Sequence, residues 1–186
     1  SSELSHLNSQ AGMGPILVSD DLLMLVATMV EGWQRTDGLF DPSVLESMRT
    51  HGYDADFAEV LARDFLQAVP LTAPCAGLGD VDIDTVAGTV SIPAGMGIDP
   101  GAIGKGLACD IVLEDLLLAG AEGALVSLGG DLAFAGRSPE GAGWVIGVDG
   151  ASTSWIFDAP RGAVATSTTR KRRWANGTRH HVIDPR

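Results

Sequence analysis

The chain has 186 residues, 45% apolar and 19% charged, which is the balance of an ordered protein long enough to bury a core. Its formal charge of −12 excludes a general nucleic-acid binder, whose affinity would come mostly from cationic contacts to phosphate. No apolar window reaches the length of a transmembrane helix, and Cys75 and Cys109 match neither a metal-ligand spacing nor a disulfide framework.

In chain order, the first strong element is SDDLLMLVATMVEGWQR, starting at Ser19. Ser19 is a good N-cap, Asp20 and Asp21 suit the positive end of a helix dipole, and Leu22, Leu25, Val26, Met29, Val30 and Trp33 recur at helical spacing. Asp41-Pro42 then interrupts the pattern ahead of a short helix. Residues 54–69 are compatible with a further helix, followed by a loop containing Pro70 and Pro74. VDIDTVAGTVSIP reads as a β-hairpin that turns through Ala87-Gly88.

A loop at Pro100-Gly101 precedes a second amphipathic helix from Ile103, with Leu107, Ala108, Ile111, Val112 and Leu116 on its apolar face and an end near Gly120. Cys109 is expected on a buried face as a structural thiol. GALVSLGGDLAFAG and GWVIGV read as strands, with SWIFD, AVATS and HHVID as shorter ones. Gly129-Gly130 breaks the first, either as a bulge, which the spacing favours, or as a place where a ligand approaches the backbone. Strands outnumber helices at hairpin spacing, so the expected fold is α+β, with helices packed on a largely antiparallel sheet.

Two stretches carry possible chemistry. IDPGAIGKGLACDIV sets Lys105 between glycines at a helix start, where unpaired N–H groups and a close backbone approach suit a pyrophosphate. The other reading is a solvated lysine, since neither a Walker A loop nor a GxGxxG fingerprint is present. Asp99 and Asp110 flank it. Asp99 reads as a turn residue or as a ligand to a sugar hydroxyl, a ring N–H or a metal, and Asp110 as an exposed helix residue or such a ligand.

The second stretch is AVATSTTRKRRWANGTRHHVIDPR. Seven of the twelve cationic residues fall between Arg161 and Arg186, as a solvated run or as a basic end that holds an anionic small molecule. His180 and His181 are adjacent, and in a strand only one could face a given site. Asn176-Gly177 predicts a hairpin turn bringing the basic run towards them.

Taken together, SELSHLN, GLFDPSV, IDPGAIGKGLACD, ALVSLGGDLAFAG, AVATS and HHVIDPR resemble, in order, the blocks of the ApbE-type FAD:protein FMN transferases, formerly described as thiamine-biosynthesis lipoproteins. The resemblance implies an ApbE-like, T-fold-like α+β domain over residues 1–186, with unseen ends at both termini. It implies Mg²⁺-dependent transfer of the FMN part of FAD to a threonine of an acceptor protein carrying D-x-x-[ST]-G-A-[ST], with AMP released. The alternatives are an FAD pyrophosphatase giving FMN and AMP, and an FAD-binding protein without turnover.

In the D-x-x-A-x-x-K element, the resemblance assigns Asp99 and Lys105 to FAD and the Ala102 carbonyl to Mg²⁺. It assigns Leu39, Phe40 and Asp41 to the flavin portion, Ile183 to another FAD contact, and His181 to deprotonation of the acceptor hydroxyl. The family's remaining metal ligands, an Asp and a Thr on a helix beyond the HxIDP block, have no counterpart up to Arg186, and the upstream strand has none after Ser1. Thr168 stands where many relatives have glycine. GVDGAS fails as an acceptor motif, because Asp149 occupies the position of the acceptor hydroxyl. The resemblance implies a family that is often exported and lipid-anchored; no leader is recognisable in the chain, and both an upstream export segment and a cytoplasmic location stay open.

Overall fold

A computed structural model describes residues 2–65, 74–141, 143–150 and 153–186. They form two compact units: unit 1 is Ser1–Ala102 with Thr168–Arg186, and unit 2 is Ile103–Ser167. All strand pairings among the described residues are antiparallel, as the α+β reading expects. No described helix is long and apolar enough to cross a membrane.

Unit 1 holds helices α1 (Glu3–Ser9), α2 (Asp20–Arg35), α3 (Leu45–Thr50) and α4 (Phe57–Leu61). A 3-10 turn, Pro42–Val44, leads into α3. The Ser19 hydroxyl accepts from the Leu22 N–H at 3.3 Å, and α2 buries Leu22, Val26 and Met29. The expected helix over 54–69 shrinks to α4, because the chain turns at Ala62; residues 66–69 and Pro70 lie outside the described residues.

Strand β1 (Ile16–Leu17) joins the hairpin β2 (Asp82–Asp84) and β3 (Thr89–Ser91) in the order β1-β3-β2. The hairpin pairs Ile83 with Val90 and turns where expected, with Gly88 at a φ of +67°. The return segment adds β9 (Arg173–Trp174) and β10 (Arg179–His180), paired Trp174 with Arg179 and His180 with Arg173. The predicted Asn-Gly turn therefore forms and does bring the basic run beside His180.

Trp174 is the plug of this unit. It is 1% exposed, stacks on Tyr53 with ring centroids 5.2 Å apart, and donates from Nε1 to the His51 carbonyl at 2.8 Å. Arg179, also buried, donates to the same carbonyl at 3.0 Å and lies over the Phe65 ring. Part of the basic end is thus structural, while residues 170–173 are exposed.

Unit 2 packs α5 (Gly104–Leu118) on a sheet of β4 (Gly123–Leu128), β5 (Asp131–Gly136) and β8 (Arg161–Val164), ordered β4-β5-β8. A separate hairpin pairs β6 (Trp144–Asp149) with β7 (Ser154–Ala159). The core joins Cys109 and Leu113 of α5 to Ala133 and Ala135 of β5, so Cys109 is the expected buried thiol. The buried stripe of α5 differs from the expected one. Leu113 replaces Leu116, which is exposed like Val112, because apolar residues stand on several sides of the helix among Asp110, Glu114 and Asp115, and periodicity alone does not select a face.

Candidate functional site

In unit 1 the chain leaving α2 reverses through Asp37 and Gly38, both at positive φ. Thr36 Oγ1 donates to the Gly32 carbonyl at 2.8 Å and accepts from the Phe40 N–H at 3.0 Å, fixing the reversal. A Cβ on Gly32 would stand 2.9 Å from the Phe40 ring, so glycine there makes the room that ring needs. Leu39, next to it, projects into solvent with 63% exposure.

Asp41 is buried, and its Oδ1 accepts from the Ser43 N–H at 2.9 Å and the Ser43 hydroxyl at 2.7 Å. The side chain assigned to flavin thus also caps the 3-10 turn. Ser43 Oγ in turn accepts from the Gly77 N–H at 3.0 Å. Beside it is a concavity of about 340 Å³ lined by Ser43, Ser47, Thr50, Cys75 and Gly97. Burial pushes the Cys75 thiol above its usual range, only partly offset by a weak contact with the Ser47 hydroxyl.

Asp99 is anchored on both sides. Its N–H donates to the Pro42 carbonyl at 2.8 Å, and its Oδ1 accepts from the Gly101 N–H at 2.6 Å. Asp99 therefore lies in a turn, with Oδ1 engaged by the Gly101 N–H. One residue earlier, Asn8 of α1 clamps Ile98 by donating to its carbonyl and accepting from its N–H, both at 2.9 Å. The sequence reading assigned no role to Asn8, and its partner lies 90 positions away. Ala102 is in an exposed turn.

His181 lies in the bend just past β10, so strand alternation does not orient it. Among the described residues its Nδ1 is buried without a hydrogen-bond partner, and the same holds for His180 Nδ1. Ile183 follows, half-buried, and the segment is tied down where the Cys75 N–H donates to the Pro185 carbonyl at 2.8 Å. Asp184 accepts from the Arg186 N–H, Nε and Nη2, and these bonds hold its carboxyl below the usual range.

In unit 2, Lys105 lies in the first turn of α5. Its Nζ donates to Asp131 Oδ2 at 2.6 Å; the lysine side chain is 46% exposed and that of Asp131 only 8%. Gly129-Gly130 is a two-residue turn with φ of +59° and +102°, closed by the Leu128–Asp131 pair, and not the bulge the spacing favoured. Both residues being left-handed suits a tight hairpin, and Leu128 and Asp131 then face each other with no residue left over.

A Cβ on Gly129 would lie 3.5 Å from Lys105 Cδ, so the lysine stem runs over the turn. Thr166 Oγ1 donates to the Gly130 carbonyl at 3.3 Å, and Cys109 Sγ reaches the Asp131 carbonyl at 3.5 Å. Sequence reasoning weighed Asp99 and Asp110 as the carboxylates near this lysine and missed Asp131. The only signal was an acidic residue directly after a Gly-Gly turn. Asp110 is exposed and lines a different concavity, of about 580 Å³, with Leu113, Glu114, Leu117 and Arg161.

Mg²⁺ takes a near-octahedral set of oxygen ligands. The described residues hold no group of three or more His, Cys, Asp or Glu that could bind a metal. Asp131 engages Lys105, Asp99 Oδ1 engages Gly101, and the Ala102 carbonyl is a single donor in an exposed turn. Among the described residues, the Ala102 carbonyl would thus supply one oxygen of a magnesium shell.

The charged feature of unit 2 is thus an ammonium lying over a glycine turn with a buried carboxylate at its back. The chain belongs to the ApbE family, whose model matches residues 1–186. It is 26% identical over 208 residues to the FAD:protein FMN transferase of Treponema pallidum, covering 99% of this chain and 56% of the relative. It is 28% identical to that of Klebsiella pneumoniae, covering 100% and 58%.

Among solved structures it is similar to the ApbE protein of Thermotoga maritima, with a TM-score of 0.78 at 25% identity, covering 99% of this chain and 61% of that one. Against the flavin transferase ApbE of Vibrio cholerae the TM-score is 0.74 at 26% identity, covering 99% and 60%. The chain spans about half the length of the curated relatives it matches.

Proposed function

We propose that this protein transfers the FMN portion of FAD to a threonine hydroxyl of an acceptor protein and releases AMP, in a Mg²⁺-dependent reaction. The observation that carries the reading is the family match over the whole chain, which contains the D-x-x-A-x-x-K element at Asp99, Ala102 and Lys105. Residues 1–186 are read as one functional domain.

Each residue has a chemical part in this reading. Lys105 binds a phosphate of FAD through the ammonium donors that Asp131 leaves unused, and so offsets negative charge on the diphosphate. Leu39 and Phe40 offer apolar surface to the flavin, with Asp41 beside them. Asp99 and Ile183 complete the dinucleotide contacts. His181 takes the proton of the acceptor hydroxyl.

The hydroxyl oxygen then bonds to the FMN phosphorus, and the bond from that phosphorus to the bridging oxygen breaks. AMP leaves with the electron pair. The Ala102 carbonyl is the one magnesium ligand assigned within the chain; a bound Mg²⁺ would add charge neutralisation at the phosphates.

The test is to incubate the full-length protein with FAD, Mg²⁺ and an acceptor protein carrying D-x-x-[ST]-G-A-[ST]. In-gel flavin fluorescence and mass spectrometry would follow the acceptor, and chromatography the nucleotides. Covalent FMN on the threonine with an equal amount of AMP is expected. FMN and AMP released without any acceptor would replace this reading with a pyrophosphatase. FAD binding with neither product would leave a non-catalytic FAD-binding protein.

A further inference from the structure

We infer that Asp131 is the positioning residue for Lys105, fixing the direction in which its ammonium meets the phosphate. This rests on the proposed reading that Lys105 binds FAD. Asp131 is the first residue of β5, held by the Gly129-Gly130 turn before it and by its pairing with Leu128. Its side chain is 8% exposed, a degree of burial that a carboxylate tolerates only with a close charge partner. Lys105 Nζ, 2.6 Å away, is that partner.

The geometry is one-sided. Lysine ends in a point charge on a flexible four-carbon stem and has no preferred direction of its own. Here the stem crosses the bare Gly129, and one of its three donors is committed to Oδ2 from the buried side. The other two donors belong to an ammonium whose side chain is 46% exposed, so they are available to a ligand arriving from solvent. An aspartate placed merely to balance charge could sit anywhere on the exposed rim. This one is sealed beneath the lysine, where it aims the ammonium without blocking it.

Binding of FAD and of riboflavin, a probe that lacks phosphate, would be titrated by fluorescence on the full-length protein. The variants are Asp131→Asn, Asp131→Glu, Lys105→Ala and the Asp131→Asn/Lys105→Ala pair. Asp131→Asn should weaken FAD binding about tenfold while riboflavin binding stays within about twofold, since only the phosphate contact is misdirected. The paired variant should bind FAD no more weakly than Lys105→Ala alone, because the two residues act as one unit.

Tighter or unchanged FAD binding by Asp131→Asn would overturn the inference while leaving Lys105 as an FAD ligand. So would an equal loss for FAD and riboflavin, the signature of a general structural role. If Asp131→Asn does not fold, Asp131→Glu, which keeps the charge but displaces it by a methylene, should weaken FAD selectively, and unchanged affinity would again overturn the inference. Should Lys105→Ala bind FAD as well as the wild type, the functional reading itself fails and this inference falls with it.

Discussion

Lys105 and His181 carry different loads in the proposed reaction, and single substitutions separate them. Lys105→Ala removes a charge-assisted contact worth roughly 1.5–3 kcal/mol, so FAD affinity should fall by about tenfold or more in a fluorescence titration. His181→Ala should leave that affinity unchanged and lower transfer by about 10²–10⁴-fold, the range of a lost general base. An undiminished single-turnover rate in the histidine variant would remove it from the mechanism. Cys75 lies in the hydroxyl-lined concavity of unit 1, and its thiol is raised because burial disfavours the thiolate. A raised acid needs a higher pH to ionise. Alkylation by iodoacetamide should therefore be slow at pH 7 and accelerate only above the ordinary thiol range, and fast reaction at neutral pH would contradict the burial. Cys109, fully buried against Ala133 and Ala135, should not react until the protein unfolds.

At the scale of elements, the start of α2 is a double cap. Ser19 closes the first turn and also donates from its N–H and Oγ to the Glu3 carboxylate, at 2.7 and 2.6 Å. Those two bonds hold the Glu3 carboxyl below its usual value. A lowered acid contributes stability above its unfolded value, and that contribution is lost as pH falls through the folded value. Ser19→Ala should cost about 1 kcal/mol in denaturant unfolding at neutral pH and move the Glu3 titration, followed by NMR, back up towards an ordinary glutamate. A Glu3 titration that does not move would show that Ser19 is not its partner. This helix was legible in advance because its cap, first-turn acids and apolar period lie within one contiguous run. The Gly129-Gly130 turn was not, since a bulge and a tight hairpin differ in which residues pair across the strands, and single-strand spacing does not contain that information. The carboxylate behind Lys105 was hidden for a similar reason, being 26 positions away, and the Asn8 clamp on Ile98 spans 90. The proposed site was legible only as blocks in a known order, which assign side chains by resemblance and do not say what holds them.

At the scale of the whole molecule, unit 1 is assembled from two separated stretches of chain, with Ile103–Ser167 between them. Trp174 joins the two stretches by stacking on Tyr53 and donating to the His51 carbonyl. Trp174→Ala should therefore cost about 3–5 kcal/mol, the range for a fully buried large aromatic, and calorimetry should record a correspondingly lower melting temperature. Trp174→Phe keeps an aromatic ring but removes the indole donor to the His51 carbonyl, which Arg179 still serves, and its cost should fall between those of the wild type and the alanine variant. A loss within about 0.5 kcal/mol for the alanine variant would mean that the return segment is not what completes the unit.

This discontinuity also gives synthesis an order. On a ribosome adding roughly 5–20 residues per second, Tyr53 and His51 emerge well before their indole partner is made, while the intervening stretch is contiguous and can close without waiting for later residues. For roughly 6–24 seconds at that rate the aromatic slot is open to chaperones and to neighbouring nascent chains. A stop codon just after Ser167 would yield a polypeptide with a finished middle and an unfinished remainder, and degradation by quality control is its expected fate.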